Sequence, residues 1–156
     1  MRMHHDVIII GAGPAGLCLA KALCDLDLKV AVVERQPRAA IAEPAFDGRE
    51  IALTHASMRL LRDLGIWEHL PDDACSPLRA ARVMEGDCLH DMRIDAGLAG
   101  TPELGMLVPN HRIREAAWKA VCDLPGLDLF DSARIHAVRT TDDHACVTLS
   151  DGLRLE

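Results

Sequence analysis

Gly11-x-Gly13-x-x-Gly16 constrains this sequence more than any other feature, because of what stands on either side of it. Before it, Val7-Ile-Ile-Ile10 is a short β-branched run of the kind that packs well as a strand. From Pro14 the pattern turns helical, with Ala15, Leu17, Leu19, Ala20, Ala22, Leu23 and Leu26 supplying an apolar surface. Leu28–Val33 reads as a second strand, closed by Glu34. Strand, glycine turn, helix and strand make a βαβ unit, whose crossover is right-handed and whose strands are parallel. Asp27 stands where glycine would best turn the helix into that strand; aspartate tolerates such a φ better than most residues, at some cost.

Each glycine has a separate task in such a unit. Gly11 permits the tight turn, Gly13 lets the backbone approach a pyrophosphate, and Gly16 lets the helix pack close to the sheet. Pro14 suits the first helical turn, where its missing N–H is no loss. Amides at the helix start then face the phosphates with the favourable end of the helix dipole. Glu34 is placed to accept hydrogen bonds from an adenosine ribose. A glutamate there disfavours a 2′-phosphate, so NADP is not expected in this site. The residues alone leave FAD and NAD both open.

Beyond Glu34 the reading is coarser. Residues 35–50 form an ordered loop carrying Ile41 and Phe46, and Leu53, Ala56, Leu60, Leu61 and Leu64 then fall on one face of a helix ended by Gly65. Prolines and acidic residues break the chain at 71–77. Strands follow at Ala80–Glu85, Cys88–Ile94 and Leu104–Val108. Asn110 is placed to cap a helix with apolar positions Ile113, Ala116, Ala117, Ala120, Val121 and Leu124. Leu127–Phe130 is a third parallel strand, Ile135–Thr140 and Ala145–Leu149 form a hairpin, and a further strand begins near Arg154. The fold class is α/β: a Rossmann-like βαβ with a parallel sheet plus an antiparallel meander, incomplete as it stands.

Composition narrows the partners. Seventeen Lys+Arg against 24 Asp+Glu give −7 with no basic cluster, so no nucleic acid is expected. Apolar runs such as Val30–Val33 are too short to cross a bilayer, and the first residues open no secretory h-region. Six cysteines lack Cys-x-x-Cys or zinc-finger spacing, so reduced thiols and no metal site are expected. Cys18 and Cys24 read as small buried residues, Trp67 and Trp118 as packing, and His4-His5 as a frayed terminus. His55 has no partner in the sequence that would mark it as catalytic.

Two segments carry a family resemblance. Asp6-Val-Ile-Ile-Ile-Gly-Ala-Gly-Pro-Ala-Gly16, with Val30-Ala-Val-Val-Glu-Arg35, resembles the start of the FAD-dependent aromatic-ring hydroxylases, the class A flavin monooxygenases. Asp47-Gly-Arg-Glu-Ile-Ala-Leu53, followed by a helix ending in Leu64-Gly-Ile-Trp67, is similar to the ubiquinone-biosynthesis hydroxylases and, within them, to the demethoxyubiquinol hydroxylase branch. The first segment is shared by many flavoproteins, whereas the second is more selective.

The resemblance implies an extended FAD. Gly11, Ala12, Gly13, Pro14, Ala15 and Gly16 would hold its pyrophosphate, Glu34 its adenosine ribose, and Arg35 would flank the adenosine unless it is a solvated surface arginine. Arg49 would contact the phosphate–ribitol region, the alternative being an ion pair with Glu50 or Asp47. Asn110 would reach the flavin region, act as a helix cap, or both. Ile51, Ala52 and Leu53 would run beside the cofactor as backbone, and no residue is assigned as catalytic. In the family, NAD(P)H reduces FAD and O2 supplies the hydroxyl placed on a prenylated quinol or phenol. A cytoplasmic protein is expected, peripheral at the inner membrane surface or in a biosynthetic complex. The family's second and third FAD fingerprints do not occur in residues 1–156. The sequence is therefore expected to be the N-terminal part of an FAD-binding domain, with inserted strands at about 79–108, not competent alone and prone to self-association.

Overall fold

The computed structural model describes residues 2–84, 86, 91–98 and 100–156. Its centre is a parallel three-stranded sheet in the order β2–β3–β9, formed by β2 (Val7–Ile10), β3 (Val30–Val33) and β9 (Leu127–Phe130). Every residue of β3 is buried, as a continuous apolar run between two paired neighbours requires. Its side chains alternate. Val30 and Val32 join the core beneath helices α1 (Pro14–Cys24) and α4 (Asn110–Val121), while Ala31 and Val33 face the opposite layer.

That opposite layer is an antiparallel-rich sheet in the order β1–β12–β11–β10, made of β1 (Arg2–Met3), β12 (Arg154–Leu155), β11 (Ala145–Leu149) and β10 (Ile135–Thr140). Val147, Leu149 and Leu155 close the second core against Ala31 and Val33. The expected hairpin and the strand near Arg154 are present. The expected frayed terminus is not: β1 pairs in parallel with β12, and the His5 side chain is only 2% exposed, bonded to Asp128 at 2.9 Å and edge-on to Phe130. Two residues of pairing carry too little sequence pattern to be read in advance.

A third sheet lies at the other end of α4. β4 (Glu50–Thr54) and β5 (Ser76–Leu78) both pair antiparallel with β8 (Gly105–Pro109). Leu53 therefore belongs to a strand, and the expected helix begins only at His55. The boundary is set by Thr54, whose Oγ1 accepts the Ser57 N–H at 3.2 Å as the N-cap of α3 (His55–Asp63). β5 had no sequence signal, because Pro77 is tolerated where the strand lies at a sheet edge. Likewise the loop at 35–50 contains the short α2 (Arg38–Ala42), which buries Ile41 and leaves Phe46 exposed.

β6 (Ala80–Met84) and β7 (Asp91–Asp95) form a separate hairpin; the expected strand residues at 85 and 88–90 lie outside the described ones. Trp118 is buried under the guanidinium of Arg38, and Trp67 stacks on Arg62, so both act in packing. No helix among the described residues is long and apolar enough to cross a membrane.

Candidate functional site

The glycine turn joins β2 to α1 at the C-terminal end of the parallel sheet, where open α/β sheets bind their ligands. Gly11 has φ +105°, which a side chain would strain, and its N–H donates to Val33 O at 2.8 Å. A Cβ at Gly16 would overlap the Gly11 carbonyl oxygen, so the close approach of helix to turn depends on that glycine. Gly13 is different: it has an ordinary extended backbone, and nothing stands within 4 Å of where its Cβ would be. The backbone at Gly13 is therefore open to whatever lies against the turn.

The amides of the turn divide by role. Ala12 N–H donates to Glu34 Oε2 and Gln36 N–H to Glu34 Oε1, both at 2.8 Å. Glu34 thus fixes the turn to the end of β3 while each carboxylate oxygen retains a lone pair for a further donor. Pro14 has no N–H. Ala15 and Gly16 lie in the first turn of α1, where no intrahelical carbonyl reaches them, and no hydrogen bond of the turn engages them. Two free amides at the positive end of a helix suit an anionic group.

Two grooves flank this turn. One, of 460 Å³, is lined by Gly11, Glu34 and the exposed Arg35, with Arg134 and Ser150 opposite. The other, of 740 Å³ and mostly apolar, runs from Pro14 and Ala15 past Ile51 and Leu53 to Asn110, and on between α1 and α3. The residues read from the sequence as site residues thus fall on both sides of one turn. Arg49 lines neither groove.

Arg49 and Asn110 are instead joined through Asp47. Asp47 Oδ2 accepts from Arg49 Nε at 2.9 Å, Arg49 Nη2 at 2.6 Å and Asn110 Nδ2 at 2.7 Å. These donors, Asn110 first, hold the Asp47 carboxyl down at about 2. Asn110 is the first residue of α4 rather than its cap; Pro109 holds the cap position and no side chain caps the helix. The Asn110 side chain is committed to Asp47, so the capping role expected for it is not the one the structure gives. Arg49 takes up the expected alternative ion pair, with Asp47 rather than Glu50.

The sequence offered Asp47 only as an ion-pair partner of Arg49; its bond to Asn110 carried no signal there. His55 Nε2 lies 3.0 Å from the Glu103 carbonyl oxygen, which also accepts the Thr101 hydroxyl at 3.0 Å, so its hydrogen bond goes to backbone. Cys18 lines the second groove as a free thiol that burial pushes up in pKa. Arg112 pairs with Glu115 and Arg114 is bonded to Gln36, both half-buried. Among the described residues, no cluster of His, Cys, Asp and Glu could hold a metal ion.

Comparison with known proteins agrees with this geometry. The FAD binding domain family model matches residues 4–154. The chain is 37% identical over 156 residues to ubiquinone hydroxylase UbiM of Neisseria meningitidis, covering 97% of this chain and 34% of that protein. It is 30% identical over 148 residues to the 3-demethoxyubiquinol 3-hydroxylase of Escherichia coli, covering 94% of this chain and 38% of that one. Among solved structures, OxyS anhydrotetracycline hydroxylase from Streptomyces rimosus superposes with a TM-score of 0.75 at 25% identity, over 99% of this chain and 30% of its own. The chain spans about a third of the length of the curated relatives it matches. An open glycine turn, free helix-start amides and a family match over nearly every residue give one conclusion: the chain belongs to the FAD-binding domain family of flavin-dependent monooxygenases.

Proposed function

We propose that this chain supplies the N-terminal part of the cofactor site of an FAD-dependent monooxygenase that hydroxylates a prenylated quinol or phenol in ubiquinone biosynthesis. The observation that carries the reading is the open space at Gly13 beside the unengaged amides of Ala15 and Gly16. It is supported by relatives named as ubiquinone hydroxylases that match 97% and 94% of the chain. In this reading Gly11 to Gly16 receive the pyrophosphate, Glu34 accepts from the adenosine ribose and Arg35 lies along the adenosine. Arg49 and Asn110 serve the flavin side. FAD bound there would supply the redox chemistry of a hydroxylation that uses NAD(P)H and O2. The residues of this chain bind and orient it, and no residue is assigned as general acid or base.

The parallel sheet favours a chain that needs more polypeptide to work. β2, which carries the cofactor turn, is an edge strand among the described residues, although a doubly wound sheet places that strand centrally. Hydroxylation by this chain alone is not expected. The domain reading is accordingly residues 1–156 as one part of an FAD-binding domain, with 79–108 as an insertion. In this reading the protein is cytoplasmic and works at the inner membrane surface, where a prenylated substrate would reside.

A chimera tests this directly. Residues 1–156 replace the matching third of the Neisseria relative, and NAD(P)H-dependent hydroxylation of a prenylated quinol is measured. Product formation is expected. A chimera that folds and holds FAD yet hydroxylates no quinol would refute the substrate assignment.

A further inference from the structure

Resting on that FAD reading, we propose that Asp47 is the positioning residue of the site. It orients Arg49 and Asn110 together toward the phosphate–ribitol arm of the dinucleotide. The two residues come from distant parts of the chain. Arg49 precedes β4 and Asn110 opens α4, and the Asn110 N–H donates to the Arg49 carbonyl at 2.9 Å. Their side chains then converge on one oxygen, Asp47 Oδ2, while Asp47 Oδ1 accepts the Arg49 N–H at 3.2 Å.

An ionised carboxylate only accepts, so the Asn110 amide must point its nitrogen at Asp47 and turn its oxygen away. Asn110 is 6% exposed and is the one buried polar residue among those described, yet its Oδ1 has no protein partner there. It lines the groove that begins at Pro14 and Ala15. Arg49 is fixed in the same manner. Asp47 engages the Nε–Nη2 edge of the guanidinium and leaves Nη1 unengaged on a side chain that is 66% exposed.

A single carboxylate therefore presents one outward acceptor and one outward cationic donor, the pair that a polyhydroxyl chain beside a phosphate would meet. Without Asp47, Arg49 is a long exposed side chain free to sample many rotamers, and the amide of Asn110 can flip. Both costs would fall on ligand binding.

Equilibrium dialysis of the intact chain against FAD and, separately, ADP tests the inference. ADP carries the adenosine and pyrophosphate but no ribitol or flavin. Asp47→Ala is expected to weaken FAD binding about tenfold or more, the loss typical of charged hydrogen bonds, and to leave ADP within about twofold. Asp47→Asn keeps an oxygen acceptor and is expected to recover part of the FAD loss. Unchanged FAD affinity in Asp47→Ala overturns the role, and so does an equal loss of both ligands, which marks a structural residue. If Asp47→Ala unfolds, Asp47→Asn carries the same comparison: FAD weakened with ADP unchanged upholds the role, and no weakening overturns it. A wild-type chain that takes ADP but not FAD removes the flavin-side placement, and the role of Asp47 with it, while sparing the adenosine side. One that takes neither removes the cofactor reading itself.

Discussion

Three residues of the candidate site make separable demands. Gly16 is needed for packing, because a methyl group would overlap the Gly11 carbonyl oxygen and push α1 off the sheet. Gly16→Ala is therefore expected to cost about 1–3 kcal/mol in urea unfolding, the range for overpacked sites. Glu34 is needed as a double acceptor. Glu34→Gln turns an NH2 group toward one of two backbone N–H donors, and about 1–3 kcal/mol of stability is expected to go with the lost bond. Wild-type stability in either variant would contradict the geometry. Asp47 gives a pH signature. Its carboxyl is held at about 2, below the ordinary value, so the bond to Asn110 is intact at neutral pH and breaks only as pH falls through that range. The Asn110 side-chain amide resonances should titrate with a midpoint at about 2. A midpoint at about 4, the usual aspartate value, would show that Asp47 is free.

At the scale of elements, the two ends of α1 and the start of α3 show how local chemistry sets boundaries. Asp27 has φ 60°, and around it Asp27 N–H and Leu28 N–H bond back to Cys24 and Leu23 carbonyls. That is a left-handed helix ending usually made by glycine. Asp27→Gly is expected to stabilise by about 0.5–1 kcal/mol, read from the unfolding midpoint, since its exposed side chain makes no bond that glycine would lose. Thr54→Ala is expected to cost about 1 kcal/mol through loss of the α3 cap. These elements were legible because glycine, proline and β-branched residues act within a few positions of one another. The βαβ unit, the third parallel strand and the hairpin all have that character. Leu53 was misplaced because its spacing to Ala56, Leu60 and Leu64 fits a helix equally well; only pairing with Met106 across the sheet decides for a strand. The Asp47–Asn110 bond was missed for a related reason: it spans 63 positions, and no local pattern announces it.

For the whole molecule, surface left uncovered matters as much as what is buried. Leu19 and Leu60, 49% and 53% exposed, line the apolar groove between α1 and α3, and β2 has an unpaired edge among the described residues. An unpaired edge and an apolar groove together favour association. Sizing experiments are expected to show mass rising with concentration, and Leu19→Glu with Leu60→Glu should lower it; a monomer at every concentration would count against this. The glycine turn sits between that groove and the one lined by Glu34 and Arg35, so the proposed diphosphate seat lies where two grooves meet.

That seat is most directly tested by titrating FAD into the intact chain beside a Gly13→Val variant, with thermal unfolding recorded for both. Gly13 has an extended backbone and empty space at its Cβ, so the variant should fold as the wild type does. Saturable quenching of flavin fluorescence is expected for the wild type and none for Gly13→Val at a similar unfolding midpoint. Equal uptake by both proteins, or none by the wild type, would contradict a diphosphate resting on that turn.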